Sequence, residues 1–337
     1  MVSERKERIL RIIVEEYVSK GVPVGSGTIA GRGLGVSPAT VRNEMYELEE
    51  QGFLTQPHTS AGRIPSDKGY RHYVQALMAA VQPSAVEQRL ICHQFHQVER
   101  EAEEWTRLAA AILSRMLNSV AIVTLPKPSE SRLQRLELVS LQELLVLLVL
   151  ILREAKVKHQ LLALEEAVSE DELSSCARRL NAAYVGLMPS LFPVRSMELT
   201  PFEEQVTKAT AQIMQAEDEE EYEEPQVDGL RHILSQLEFA SSKKVADIVE
   251  LLEQRSLVKM LLPQVLTGEG LQVVIGGENR YEVMHECSVI VTRYGIPGEV
   301  GGAIGVVGPT RMQYDRAIPA VSFLSEVMSD LVNEVYG

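Results

Sequence analysis

Cysteine is scarce in this chain: Cys92, Cys176 and Cys287 are three residues, far apart and odd in number. A disulfide framework is excluded, and free thiols in a reducing cytoplasm are expected. Long apolar runs are missing too. The longest spans Leu144 to Leu152, nine residues between Glu143 and Arg153, where a membrane-spanning helix needs roughly 18. A buried strand is expected there, and no membrane partner. The N-terminus, Met1 to Arg8, has no apolar segment of a secretory signal. Catalytic signatures are absent as well: there is no P-loop, no HExxH, no GxSxG and no convergent acid–base set. Gly302, Gly305 and Gly308 miss the GxGxxG spacing and read as strand and turn. An enzyme is therefore disfavoured, and no cofactor is expected.

Positive charge is also short overall, with 33 Lys and Arg against 47 Asp and Glu, a net charge of −14. That balance argues against nucleic acid, but its distribution does not. Residues 1–72 hold ten Lys and Arg against nine Asp and Glu, and Arg63, Lys68 and Arg71 face Asp67 alone between Thr55 and His72. A neutral head with a basic tip on an acidic body can bind DNA through the head.

What is there centres on Gly35-Val36-Ser37-Pro38-Ala39-Thr40-Val41-Arg42-Asn43-Glu44-Met45. Ser37 is placed to cap a helix, and Pro38 falls at the first helical position, where a missing N–H costs nothing. Val41, Met45 and Leu48 step as a buried stripe. Ala39, Thr40, Arg42 and Asn43 then point elsewhere. A guanidinium, a carboxamide, a hydroxyl and a small methyl are the groups that read base edges in a major groove. Upstream, Ser3 to Lys20 is a helix with a broad apolar face, ended by Gly21. Ser26 could cap a short second helix that Gly27, Gly31 and Gly33 weaken. Three helices with a Gly-bearing turn before the third form the helix-turn-helix pattern. Phe53 to Thr55 alternates like a strand. His58-Thr59-Ser60-Ala61-Gly62-Arg63-Ile64-Pro65 reads as a wing, with His58, Ser60 and Arg63 facing phosphate or the minor groove. Lys68 and Arg71 are candidates for backbone contacts. A small helical domain with merely solvated polar residues, or a winged helix that binds protein, shares most of this pattern. Arg42, Asn43 and Arg63 discriminate best.

After a linker at Gln82-Pro83-Ser84, one long amphipathic helix is expected from Ala85 to about Asn118. Ile91, Phe95, Val98, Ala102, Trp105, Ala109, Ile112 and Met116 mark a 3.5-residue seam along it. Cys92, His96 and Glu99 share a face. One helix alone supplies them and no second Cys/His cluster is evident, so no metal is expected. Ser119 to Leu125 is strand-like. Leu133 to Leu141, Leu144 to Leu152 and Lys156 to Leu164 form an antiparallel meander. Ser169 caps a helix to about Ala183, and Thr200-Pro201-Phe202 opens another to about Gln215. Glu217 to Glu224, seven acids in eight residues, reads as a solvated loop. Helices follow around Leu230 to Leu237 and Lys243 to Gln254. Strands are expected at Gln272 to Ile275, Ser288 to Thr292 and Ala303 to Val307, then a last helix, Arg311 to Val335, capped by Thr310.

Several of these runs resemble the HrcA family of bacterial heat-inducible transcription repressors. At the head they are Pro23-Val24-Gly25-Ser26, the stretch from Gly35 to Met45, and Gln56 to Arg71. At the tail they are Ile275-Gly276-Gly277-Glu278-Asn279, Cys287-Ser288 and Gly305 to Tyr314. The resemblance implies an α+β multidomain fold. A winged helix-turn-helix would occupy residues 1–82 and a GAF-like α/β domain with an antiparallel sheet residues 83–130 and 256–337. A dimerising domain of three antiparallel strands and four helices would be inserted at residues 131–255. It further implies a cytoplasmic homodimer that binds an inverted-repeat operator called CIRCE in double-stranded DNA. Ser37, Ala39, Thr40, Arg42, Asn43, His58, Ser60, Arg63, Lys68 and Arg71 would meet the DNA, and the GroEL chaperonin would support the active form. The competing expectation is a regulator whose GAF-like domain binds a small effector.

Overall fold

The computed structural model describes residues 3–58, 61–98, 101–128, 131–153, 156–194, 198–219, 225–234, 236 and 270–336. The chain divides into two compact units, residues 1–126, 223–296 and 301–337 in one, residues 127–222 and 297–300 in the other.

The first unit begins with three helices, α1 (Glu4–Lys20), α2 (Ser26–Ala30) and α3 (Pro38–Glu50). Ile9, Leu10, Ile13, Val14, Ile29, Val41, Met45 and Leu48 bury their side chains among them. Ser3 caps α1, and Gly21 closes it in the left-handed conformation that favours glycine. Helix α2 starts one residue earlier than expected: Gly25 is the cap and Ser26 is already helical. The reason is Val24, which exchanges both backbone hydrogen bonds with Arg63 (2.9 and 3.0 Å) and so ends the extended segment there. The glycine-rich stretch is held from outside. Buried Glu16 on α1 ion-pairs with Arg32 just after α2 and with Lys20 at 2.5 Å.

Strands β1 (Leu54–Thr55) and β2 (Ile64–Pro65) pair antiparallel, and α4 (Asp67–His72) follows, capped by Ser66. One expected long helix is two. Helix α5 (Ala85–Gln97) opens on a Ser84–Glu87 capping box and stops where Val98 turns extended; α6 (Ala102–Leu117) restarts after Glu101, also extended. Helix α5 ends at Val98 although the apolar seam runs on; Val98 is β-branched and stands ahead of the charged run Glu99-Arg100-Glu101. Ile91, Phe95, Trp105, Ala109 and Ile112 still face inward. Strands β3 (Val120–Val123), β8 (Gln226–Asp228), β9 (Gln272–Ile275), β10 (Cys287–Ile296) and β11 (Val300–Pro309) form a sheet in the order β8-β3-β11-β10-β9. Helix α6 packs on β3, and the last helix, α10 (Tyr314–Tyr336), packs on β10. It begins later than expected because the Thr310 carbonyl accepts the Tyr314 hydroxyl (2.7 Å) and Met312 makes a tight turn, so Thr310 is not its cap. Helix α9 (Leu230–Leu234) is shorter than expected, and the helix expected at Lys243 to Gln254 lies outside the described residues.

In the second unit a short strand, β4 (Lys127–Pro128), precedes the meander of β5 (Leu133–Gln142), β6 (Leu145–Leu152) and β7 (Val157–Ala163). Strand β6 alternates strictly: Val146, Leu148, Leu150 and Leu152 are buried, with Leu145, Leu147, Val149 and Ile151 on the other face. The buried face packs with α7 (Glu170–Tyr184) and α8 (Pro201–Glu219), contributing to a core that includes Leu173, Leu180, Tyr184, Phe192, Val206 and Met214. The outer face sets Val139, Leu147 and Leu161 side by side across the three strands.

The acidic run departs from its expected role. Helix α8 continues through its start, and Glu217 is 4% exposed between Lys156 (2.9 Å) and Lys158 (2.5 Å). Asp218 accepts from the Ser131 amide (2.7 Å) and hydroxyl (2.5 Å). Residues 220–224 lie outside the described residues. Removing the charge from a buried, paired carboxylate leaves its partners facing an unmatched site. Glu217→Gln should lower stability by about 1–2 kcal/mol, read from the urea midpoint. An unchanged midpoint would show that the two lysines lose nothing by returning to water.

Candidate nucleic-acid interface

The N-terminus of α3 is built as a binding edge. Ser37 Oγ accepts from the Thr40 amide (3.2 Å) and lies 3.0 Å from the Thr40 hydroxyl. Pro38 occupies the first turn. The inner face buries Val41, Met45 and Leu48, and also Glu44, which takes the Arg5 guanidinium at 2.9 Å. Ser37, Ala39, Arg42 and Asn43 are exposed and Thr40 is half-buried. The side chains of Arg42 and Asn43 make no hydrogen bond or ion pair with another described residue. The side chains expected to read bases thus occupy one open helix face, with the positive end of the helix dipole beside them.

The other expected contacts divide. His58 is exposed, and its carbonyl accepts the Ala61 amide (2.9 Å). Ser60 lies outside the described residues. Arg63 is turned inward: its side chain is 15% exposed and pairs with Glu49 at 2.7 Å. A side chain at neighbouring Gly62 would strike the Val24 backbone at 2.4 Å, so only glycine lets the hairpin lie this close to the helices. Lys68 is exposed, but its ammonium donates to the Gln51 carbonyl (2.8 Å) and sits 4.5 Å over the Phe53 ring. Arg71 donates through Nε to Glu278 (2.8 Å) and through a terminal nitrogen to the Val273 carbonyl (2.6 Å). Burial alone would raise the Glu278 pKa. The Arg71 hydrogen bonds and charge, with the Ile275 amide, more than reverse that and hold it below the ordinary carboxylate range. The pair's contribution is therefore present at neutral pH and is lost as pH falls through the lowered value.

One residue escaped the sequence reading. Tyr46, 55% exposed, lies three and four residues beyond Asn43 and Arg42, on the same side of α3. Its hydroxyl bonds Glu50, which raises its pKa above the usual phenol value. Helical spacing from Arg42 was the signal that could have found it. The pair Cys92 and His96 stands on α5, and Glu99 lies outside the described residues. Among the described residues no group of three or more His, Cys, Asp or Glu gathers, and no helix is long and apolar enough to cross a membrane.

These features define a multidomain α+β protein whose N-terminal head offers an open, polar helix face. Comparison with known proteins gives the family. Residues 103–318 match the model of the HrcA protein C-terminal domain. A relative from Dehalococcoides mccartyi (strain ATCC BAA-2266 / KCTC 15142 / 195) is 48% identical over 338 residues, covering 100% of this chain and 98% of its own. One from Herpetosiphon aurantiacus is 41% identical over 343 residues, covering 100% and 97%. Both are named heat-inducible transcription repressor HrcA. A crystal structure described as that of a hypothetical protein aligns over 98% of each chain, with a TM-score of 0.61 at 22% identity, a likeness of fold alone. The chain belongs to the HrcA family of heat-inducible transcription repressors.

Proposed function

We propose that this repressor acts as a homodimer whose two heads bind the half-sites of an inverted-repeat, CIRCE-type operator. In this reading residues 1–82 are a winged helix-turn-helix with α3 as the recognition helix. The GAF-like domain comprises residues 83–126 with 223–296 and 301–337, since β8 pairs with β3 in its sheet, and residues 127–222, rather than the 131–255 expected from the sequence, are the inserted dimerising domain. The observation that carries the reading is the open face of α3, where Arg42 and Asn43 are exposed and their side chains have no partner among the described residues. Arg fits guanine O6 and N7, Asn fits adenine N6 and N7, and Ala39 lets the helix approach. Two-fold protein symmetry then meets a palindromic site. Support for the dimer is the apolar outer face of β5, β6 and β7, where Val139, Val157 and Leu161 are 44%, 59% and 54% exposed. Heat control rests on the relatives' printed name, and GroEL support of the active form completes the reading. The work of the chain is binding, in the cytoplasm, without catalysis.

The test is fluorescence anisotropy on the full chain. An inverted-repeat duplex is compared with a scrambled one, at two salt concentrations, with and without chaperonin. Sequence-dependent binding that chaperonin strengthens is the expected result. Weak and equal binding to both duplexes would overturn the reading.

A further inference from the structure

We propose that α4 and the turn after β9 form a clasp that fixes the angle at which the head presents α3, with Asp67, Arg71 and Glu278 as positioning residues for operator binding. The inference rests on the operator reading above, and the contacts lie within one compact unit.

The clasp has three parts. The Asp67 carboxylate accepts the Gly277 amide at 2.8 Å. Gly276, at φ +50°, lies so close that a Cβ there would meet the same carboxylate at 2.3 Å. Arg71 forks onto Glu278 and the Val273 carbonyl, and Glu278 also accepts the Ile275 amide at 2.8 Å. Tyr70 packs its ring 5.8 Å from that of Tyr314, whose hydroxyl lies 2.7 Å from Ser288 Oγ.

Both sides of the clasp are stiff. Buried Asn279 donates from one nitrogen toward the carbonyls of Gly276 (2.8 Å), Met284 (3.1 Å) and Cys287 (3.0 Å), which pins the turn to β10. On the head side, Ser66 donates its hydroxyl to the Gly52 carbonyl (2.6 Å) and its amide to the Phe53 carbonyl (3.1 Å). A Cβ at Gly69 would strike the Phe53 carbonyl at 2.2 Å. Gly52 and Phe53 follow α3 after its C-terminal cap, Gln51. A chain of short polar contacts therefore runs from the end of α3 through α4 to the sheet. The head is a docked element held at a set angle, and in a dimer two set angles fix one distance between recognition helices.

The clasp should thus govern the half-site spacing that the dimer accepts, while base preference stays with α3. Arg71→Glu puts two carboxylates face to face, and Glu278→Arg two guanidinium groups. In the full chain each single variant should flatten the dependence of affinity on spacer length and lower affinity at the best spacing by about tenfold. The double variant, with charges exchanged, should restore both. Hydrogen–deuterium exchange without DNA gives a second readout: segments 66–73 and 273–279 should exchange faster in either single variant and return in the double. Unchanged exchange and an unchanged spacing profile in both single variants would overturn the clasp, as would a double variant as open as the singles. If wild-type protein binds no inverted repeat, the operator reading fails by itself, and the exchange pattern still decides whether the clasp holds the head.

Discussion

Leu147→Lys should leave the protein folded and make it monomeric. Leu147 sits at the centre of the meander's outer face, beside Val139 on one strand and Leu161 on the other. It points away from α7 and α8, so a lysine there does not enter the core. In an isologous dimer, however, a residue near the two-fold axis meets its own copy or that copy's neighbours. An ammonium group would then have to leave water against leucine and valine, with a second like charge close by. Sedimentation equilibrium should show one chain per particle, and thermal melting should show a folded one. Operator affinity should fall by about 10²–10⁴-fold, because the second head loses the effective concentration that linkage supplies. Leu148→Lys is the contrasting variant. Its side chain is fully buried, so it should unfold this unit. A Leu147→Lys protein that remains dimeric at the same concentration would place the dimer contact elsewhere.

The sequence made some of this legible and hid the rest for identifiable reasons. Helix α3 was readable to its first residue because a serine cap, a proline and an i, i+4, i+7 stripe all act within one or two turns. The meander was readable to within a residue or two because its three strand-like runs are separated by the short connections Gln142-Glu143 and Arg153-Glu154-Ala155. The break at Val98 was not, since the 3.5-residue seam continues across it and only the backbone records the stop. The start of the acidic run deceived for another reason. Glu217 meets Lys156 and Lys158 from about sixty positions away, beyond any local rule. Arg63 and Arg71 show the same limit at the site. As letters they are surface cations suited to phosphate. In the fold one is held by Glu49 and the other by Glu278, 207 residues later. Composition marks a charge but not what neutralises it, whereas Arg42 and Asn43 were legible because the helix period alone puts them on the open face.

Arg42→Ala should remove base discrimination more than it removes binding. An arginine forked onto a guanine contributes about 1–3 kcal/mol of discrimination, so affinity for the inverted repeat should drop by roughly 5–150-fold. Affinity for a scrambled duplex should fall far less, because non-specific binding counts phosphate neutralisation over the whole surface and loses one charge at most. The two duplexes should therefore converge, with most of the change on the specific one. Arg42→Lys separates the two contributions. It keeps the charge and the stem but not the planar fork, so it should recover the salt dependence without recovering the preference. Stability should not move in either variant, since Arg42 is exposed and its side chain has no hydrogen bond or ion pair to another described residue. If Arg42→Ala weakened both duplexes equally and Arg42→Lys restored both, Arg42 would be a phosphate contact. The bases would then have to be read by Asn43 and by Tyr46 one turn further along the same face.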